Sequence, residues 1–204
     1  MNFDKNIKLK RIVMEVFGGC NYTCQMCPQT NPGRGKSFTR KMPLADFKKI
    51  LDQIVPKYGT PQINLEGSGE PTMAKDLPEY INEVKEKGLK CFMYCNGARL
   101  NGDFMKRVVD AGIDFIRFSI IGYNREKYKQ WMNIDNFELI KRNIHELVNY
   151  IKSTNSECKV STYHLITNNN EIEQEIAHYK NNVINELNVT SYIWKMHNWS
   201  GNFS

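Results

Sequence analysis

The chain has 204 residues, of which 41% are hydrophobic and 25% are charged, and its formal net charge is +6 at pH 7. This composition is ordinary for a soluble globular protein, and we expect residues 1–204 to form one domain. It excludes a membrane span, because no apolar run approaches the roughly 20 residues that one needs. The beginning, MNFDKNIKLKR, also lacks the apolar core of a signal peptide, so we expect a cytoplasmic protein.

Strand-like and helix-like segments alternate along the chain. Runs of branched and aromatic residues predict the strands, whereas apolar residues three and four positions apart predict the helices. Pro43 opens the first predicted helix, and Gly88 and Gly112 end the second and third. The predicted elements, in order, are strand 11–17, helix 43–55, strand 62–67, helix 76–88, strand 89–96, helix 101–112, strand 115–120, helix 136–152, strand 158–166, helix 170–187 and strand 189–196.

Six strands and five helices in strict alternation predict an α/β fold built from parallel βαβ units. A complete eightfold barrel takes about 250 residues, so this chain suits a partial, TIM-like (β/α)6 barrel with parallel strands. Polar residues stand inside the predicted strands at Asn64, Arg117 and Thr162. We therefore expect some inward positions of the barrel to line a cavity.

Three cysteines, Cys20, Cys24 and Cys27, stand within eight residues in the loop after the first predicted strand. A structural zinc site needs four ligands, usually from two separated pairs, and the sequence has no second pair. A ferredoxin-type cluster needs a fourth cysteine at its own spacing, which is absent too. A cubane cluster held by three thiolates leaves one iron with an open coordination position. Such an iron can bind a substrate or a cofactor directly.

The CxxxCxxC spacing after the first strand of a six-unit barrel resembles that of the radical S-adenosylmethionine (radical SAM) superfamily. Three further segments strengthen the resemblance, and each follows a predicted strand. GSGEP at 67–71 is similar to the family's GGE motif, and CNGARL at 95–100 is similar to its TNG segment. FSIIGYN at 118–124 is similar to the SxDG stretch of the peptide-modifying and molybdopterin-type members. All of these lie at the C-terminal ends of strands, where barrel enzymes build their sites.

The resemblance implies an enzyme with a [4Fe–4S] cluster and SAM as cofactors. In that family one electron from the reduced cluster cleaves SAM to a 5′-deoxyadenosyl radical, which takes a hydrogen atom from the substrate. By the same resemblance Glu70 accepts hydrogen bonds from the SAM ammonium, Ser119 lies near its carboxylate or ribose, and Met26 packs against its adenine. The implied cluster ligands are Cys20, Cys24 and Cys27, and the implied SAM-binding residues are Met26, Gly69, Glu70, Asn96 and Ser119.

The chain also departs from the family pattern. Ser68 replaces one glycine of the GGE motif, and Ile121 stands where an acid is common. Many relatives bind the SAM carboxylate with an arginine about a dozen residues after the serine, and Trp131 stands near that place. Arg125, Lys129 or Arg142 could replace it, and none is assigned. HNWSG at 197–201 often precedes an extension with auxiliary clusters in relatives of this type, so we expect a core-only or truncated domain.

The substrate and the partners follow less directly. The resemblance is compatible with a peptide, a sugar or a small metabolite as substrate, and it implies an electron donor such as flavodoxin or ferredoxin. A basic loop is a candidate docking surface for such an acidic protein. Nucleic acid is a weaker alternative, because aromatic residues do not interleave with these charges. The loop contributes Arg34, Lys36, Arg40 and Lys41.

Two other functions remain open from the sequence. One is a glycyl-radical-enzyme activase, and the other is a zinc-binding module that presents a basic surface to nucleic acid. Several further residues have two interpretations each. His164 and His197 contact substrate or are structural, and Trp194 and Trp199 line the cavity or cap the core. Glu66 stays unassigned, and the cysteines inside predicted strands, expected to be buried apolar residues, are Cys91, Cys95 and Cys158.

Overall fold

The computed structural model describes residues 8–28 and 40–196, and within them six strands form one parallel sheet. Arg34, Lys36, His197 and Trp199 lie outside the described residues. The strands pair in chain order, from β1 to β6, and every pair is parallel. The strands are β1 (Arg11–Val13), β2 (Gln62–Leu65), β3 (Cys91–Cys95), β4 (Phe115–Ser119), β5 (Lys159–Ile166) and β6 (Thr190–Lys195).

Helices connect the strands and pack on one another in chain order, α1 on α2, α2 on α3 and α3 on α5. Because β1 and β6 are the two edges of the sheet and do not pair, the barrel is partial. The predicted α/β fold with six parallel strands is thus confirmed. The helices are α1 (Leu44–Tyr58), α2 (Leu77–Glu86), α3 (Gly102–Asp110), α4 (Arg125–Met132), α5 (Phe137–Thr154), α6 (Ile172–Tyr179) and α7 (Asn185–Leu187), with a π-helical turn (Lys180–Ile184) between the last two.

The core lies between the sheet and the helices, because alternate strand residues point to opposite faces. On the face toward the helices, Ile63, Leu65, Met93, Ile116 and Phe118 are fully buried. The opposite face lines a cavity inside the barrel, and Arg117 is on that face. The expectation that some polar strand residues line a cavity is thus met by Arg117, whereas Thr162 is buried on the helix side.

The first predicted strand is shorter in the structure. It ends at Val13 rather than Phe17, because the chain then turns to pair with residues 40–42. There Met42 N–H donates to the Val16 carbonyl at 3.0 Å, and Phe17 forms an antiparallel bridge with Lys41.

The predicted strict alternation was also wrong, since two helices, α4 and α5, separate β4 from β5. Helix α4 has a polar sequence, REKYKQWM, with only Tyr128 and Met132 buried. It begins where the Asn124 side chain accepts a hydrogen bond from Lys127 N–H at 2.9 Å. Its three apolar residues, Tyr128, Trp131 and Met132, span little more than one helical turn, which is too short a run to predict a helix from periodicity.

Among the residues that the structure describes, none of the helices has the length and apolarity needed to cross a membrane.

Candidate active site

A cavity of about 400 Å³ opens at the C-terminal ends of the strands. Each of the eight residues that the sequence singled out lines it, although they come from four separate segments of the chain. The cysteine loop follows β1, the GSGEP loop follows β2, and the other two positions follow β3 or end β4. The eight are Cys20, Cys24, Met26, Cys27, Gly69, Glu70, Asn96 and Ser119.

The cysteine loop presents its sulfur atoms to neighbouring donors. Tyr22 N–H lies 3.4 Å from Cys20 Sγ, and the Asn96 side-chain amide lies 3.9 Å from the same sulfur. Cys27 N–H donates to the Cys24 carbonyl at 3.0 Å, which closes a tight turn between two of the cysteines. N–H groups directed at sulfur stabilise a thiolate, which is the form that binds metal.

Because the cysteines are partly buried, their thiolates would need positive charge nearby. Burial raises the pKa of Cys20 to about 11 and the pKa of Cys24 to about 12. A thiolate at either position therefore needs compensating positive charge, which the irons of a cluster would supply. The donor set, three thiolates within one loop, fits a [4Fe–4S] cluster, because such a cluster binds each thiolate through a different iron.

The GSGEP loop packs directly on the cysteine loop. Glu70 N–H donates to the Gly19 carbonyl at 2.8 Å, and the Glu15 carboxylate accepts hydrogen bonds from Ser68 and Gly69 N–H, the latter at 3.1 Å. A Cβ atom at Gly69 would lie 1.8 Å from the Phe17 carbonyl oxygen. Only glycine permits this approach, so Gly69 sets the distance between the two loops.

Glu15 is a residue of this site that the sequence reasoning missed. An acid inside the apolar run RIVMEVF was the available signal, because a charged group in a buried segment needs partners.

Glu70 links the ends of the second and third strands. Its side chain is 3% exposed, and one oxygen accepts hydrogen bonds from Thr72 N–H at 3.0 Å and from the Thr72 hydroxyl at 2.6 Å. The other oxygen accepts from Asn96 N–H at 2.7 Å. Burial raises the pKa of Glu70, since these hydrogen bonds only partly offset the loss of water.

Asn96 in turn connects the third strand to the cysteine loop. Its side-chain amide donates to Asn21 Oδ1 at 2.8 Å, and its oxygen accepts from Ala98 N–H at 3.0 Å. The chain Thr72, Glu70, Asn96 and Asn21 therefore fixes three loops relative to one another. It reaches Cys20 through the same asparagine.

Helix α4 contacts the cysteine loop from the other side. Gln25 N–H donates to the Trp131 carbonyl at 2.8 Å, and Asn133 donates to the Thr23 hydroxyl at 2.9 Å. Met132 Sδ lies 3.8 Å from Cys24 Sγ and lines the cavity. The sequence reasoning missed Met132, because α4 itself was not predicted.

Several alternatives are resolved by position. Of its two interpretations, His164 has the structural one: it lies on the helix side, fully buried, with Nε2 3.0 Å from Glu175 Oε1. Trp194 and Glu66 do line the cavity. Arg125, a candidate for the missing arginine, makes two hydrogen bonds of 2.8 Å to Asp135 instead. Lys129 and Arg142, the other two candidates, do not line the cavity either, and the buried cysteines Cys91 and Cys158 are also outside it.

Comparison with known proteins agrees with this geometry. A family model described as the radical SAM superfamily matches residues 14–179. A probable GTP 3′,8-cyclase of Thermococcus kodakarensis is 30% identical over 133 residues, which are 65% of this chain and 41% of that protein. An Fe-coproporphyrin III synthase of Methanosarcina barkeri is 28% identical over 122 residues, 60% of this chain and 29% of that protein. The aligned part is thus less than half of either relative.

Solved structures share the fold at low sequence identity. Streptococcus suis SuiB bound to precursor peptide SuiA superposes with a TM-score of 0.70 at 14% identity, covering 96% of this chain and 41% of that one. The structure titled native anSMEcpe with bound AdoMet gives a TM-score of 0.69 at 15% identity, covering 92% and 52%. At these identities the likeness concerns the fold alone. The family model covers most of the chain and therefore shows its family. The chain belongs to the radical SAM superfamily, whose members are enzymes.

Proposed function

We propose that this chain binds one [4Fe–4S] cluster through Cys20, Cys24 and Cys27, binds SAM in the adjoining cavity, and uses both to start radical chemistry. The observation that carries the proposal is that the three cysteines line the same cavity as the residues whose motifs imply SAM binding. When bound, the cluster supplies the electron that cleaves SAM, and the resulting 5′-deoxyadenosyl radical abstracts hydrogen from the substrate.

Glu70 is the residue best suited to the SAM ammonium group. A carboxylate has about four acceptor positions, and three are occupied by Thr72 and Asn96. One remains for a donor in the cavity. An ammonium there would also offset the burial that raises the pKa of Glu70, because it restores a favourable charge partner.

The other cavity residues orient SAM and keep water out. Met26 is 6% exposed, so its thioether offers a buried, polarizable surface for the adenine. The Ser119 hydroxyl is available for the carboxylate or the ribose. Gly69 keeps the GSGEP loop close to the cysteine loop, which places Glu70 beside Cys20.

The substrate is proposed as a class only: a peptide, a sugar or a small metabolite. The names of the relatives point in different directions, to GTP, to an iron porphyrin and to a precursor peptide. Since the chain spans less than half of those relatives, their substrates do not transfer to it directly. The cavity residues beyond the SAM site, discussed below, narrow the choice.

Anaerobic reconstitution with iron and sulfide tests the proposal, with Cys24→Ala compared against Cys158→Ala. Cys158 is buried next to β5 and does not line the cavity, so it is a matched control for removing one thiol. We expect about four iron atoms per chain and 5′-deoxyadenosine formation with dithionite in wild type and Cys158→Ala. Cys24→Ala is expected to lose both. Bound zinc without product in the wild type would favour the zinc-binding module instead.

The reductant is proposed to be an acidic flavodoxin-like or ferredoxin-like protein that docks on the basic loop. Within the described part of that loop, Lys41 Nζ lies 2.7 Å from Asp76, so part of its charge is compensated. Arg40 is exposed. Within the described part of the loop, Arg40 should therefore contribute more to the charge of this surface than Lys41.

A further inference from the structure

We propose that Arg117 binds an anionic group of the substrate, a carboxylate or a phosphate, inside the barrel; this rests on the function proposed above. Arg117 lies on β4 two residues before Ser119, so both side chains point into the cavity. Two residues along a strand span about 7 Å, so Arg117 is that much farther from the C-terminal end of β4 than Ser119. The guanidinium therefore lies farther inside the barrel than the residues proposed to bind SAM, where we expect the substrate.

Arg117 is largely buried and has no direct carboxylate partner in the described part of the chain. The residue is 9% exposed, and among the described residues it forms no ion pair. The hydrogen bond that it makes within residues 8–28 and 40–196 joins Nε to the Ser161 hydroxyl at 3.4 Å, which is long for such a bond. Because a largely buried charge is costly unless it is paired, an anion that enters the cavity would be stabilised by this cation.

Two aromatic rings hold the guanidinium in place. Its central carbon lies 3.8 Å from the ring centroid of Tyr192 and 4.5 Å from that of Tyr94. Contact with the aromatic rings still leaves the guanidinium N–H groups to donate hydrogen bonds elsewhere. In the described part of the chain neither terminal nitrogen is among the fully enclosed polar atoms that lack a partner, and Arg117 lines the cavity. The geometry suits a bidentate contact with carboxylate or phosphate.

Glu66 does not neutralise this charge by direct contact. It lines the same cavity, but its carboxylate accepts a hydrogen bond from the Asn64 side chain at 3.0 Å and does not pair with Arg117. The remaining wall near Arg117 is aromatic, since Tyr163 and Trp194 meet edge to face at 5.4 Å and both line the cavity. The expected substrate therefore has an anionic end and an apolar or planar body.

Matched pairs of small aromatic probes test the inference by anaerobic calorimetry on the reconstituted full chain with SAM. The pairs are hydrocinnamate with hydrocinnamamide, and phenyl phosphate with dimethyl phenyl phosphate, which distinguish the carboxylate from the phosphate. We expect the anionic member of at least one pair to bind about tenfold or more tightly than its neutral partner. Arg117→Gln should remove that preference. Arg117→Lys, which keeps the charge but not the planar fork, should retain a weaker one.

The readouts separate this inference from the proposed function. Arg117→Gln should still bind SAM, because Arg117 is not assigned to SAM, and calorimetry with SAM alone measures this. Loss of SAM binding in this variant would overturn the inference, since the guanidinium would then bind the SAM carboxylate. Equal binding of both members of each pair by wild type, or a preference that survives in Arg117→Gln, would overturn it too. The probe calorimetry is repeated on the unreconstituted chain without SAM, so failure of cluster assembly in the reconstituted sample refutes only the proposed function.

Discussion

Replacing Gly69 by alanine is expected to separate the two loops that form the site. A Cβ atom here would lie 1.8 Å from the Phe17 carbonyl oxygen and 2.8 Å from the Gly18 carbonyl carbon. Both are backbone atoms, so no side chain can rotate away, and one loop must move by roughly 1 Å or more to restore ordinary contact. Overpacking of this kind costs about 1–3 kcal/mol, and we expect the upper part of that range. The displacement moves Glu70 away from Cys20.

The functional loss should exceed the loss of stability. A shift of about 1 Å in a positioning element can cost on the order of 100-fold in rate, so 5′-deoxyadenosine formation should fall by at least about tenfold. Iron content per chain and SAM affinity, measured by calorimetry, should fall with it. Urea unfolding gives the change in the free energy of unfolding.

Gly88→Ala is the matched control for this substitution. Gly88 has φ +67, and a Cβ atom added there would meet nothing within 4 Å, so alanine introduces backbone strain without a clash. We expect a cost of about 1 kcal/mol and unchanged iron content. If Gly69→Ala matched Gly88→Ala in stability and kept full iron and activity, the argument that close approach positions Glu70 would be refuted.

Two further predictions concern other parts of the molecule. Burial acts to raise the pKa of Glu175, but hydrogen bonds from His164, Thr167 and Asn168 hold this pKa at about 2, below its ordinary 4.5. The stabilisation is therefore present above pH 4.5 and is lost as pH falls toward 2, so Glu175→Gln should cost about 3 kcal/mol at pH 7 and visibly less at pH 3.5. Urea unfolding at the two pH values measures this, and an equal gap at both would contradict it. Reversing the charges of Arg34, Lys36, Arg40 and Lys41 should slow turnover with a flavodoxin or ferredoxin donor and spare turnover with dithionite. Equal rates with the protein donor before and after reversal would place its docking site elsewhere.

The local sequence was sufficient to predict the main elements of the fold and the site. Hydrophobic periodicity predicted five of the helices and all six strands, because each element must present an apolar face to the core. Parallel pairing followed from the alternation, since a strand joined to the next through a helix returns in the same direction. Loops that follow parallel strands meet at one edge of the sheet. Motifs far apart in the sequence, such as GSGEP and CNGARL, were therefore expected to meet.

Contacts between distant segments decided the features that the local sequence did not predict. Helix α4 has too few apolar residues for a periodic signal, and it is stabilised where Tyr128 and Met132 pack on other segments. The place of His164 near a strand end left two interpretations open, a substrate contact or a structural role. Strand alternation directs it to the helices, where Glu175 and the ring of Tyr179, 4.3 Å away, hold it.

The sequence by itself determined which candidate ligands share one loop, because Cys20, Cys24 and Cys27 stand within eight residues. Tertiary structure alone decided which further side chains join them. The Glu15 contact with the GSGEP loop spans more than 50 residues, and the contacts of Arg117 with the rings of Tyr94 and Tyr192 join three strands. Such contacts depend on register and on the inward or outward direction of each residue. Those are set by the packing of the whole sheet, and no local pattern records them.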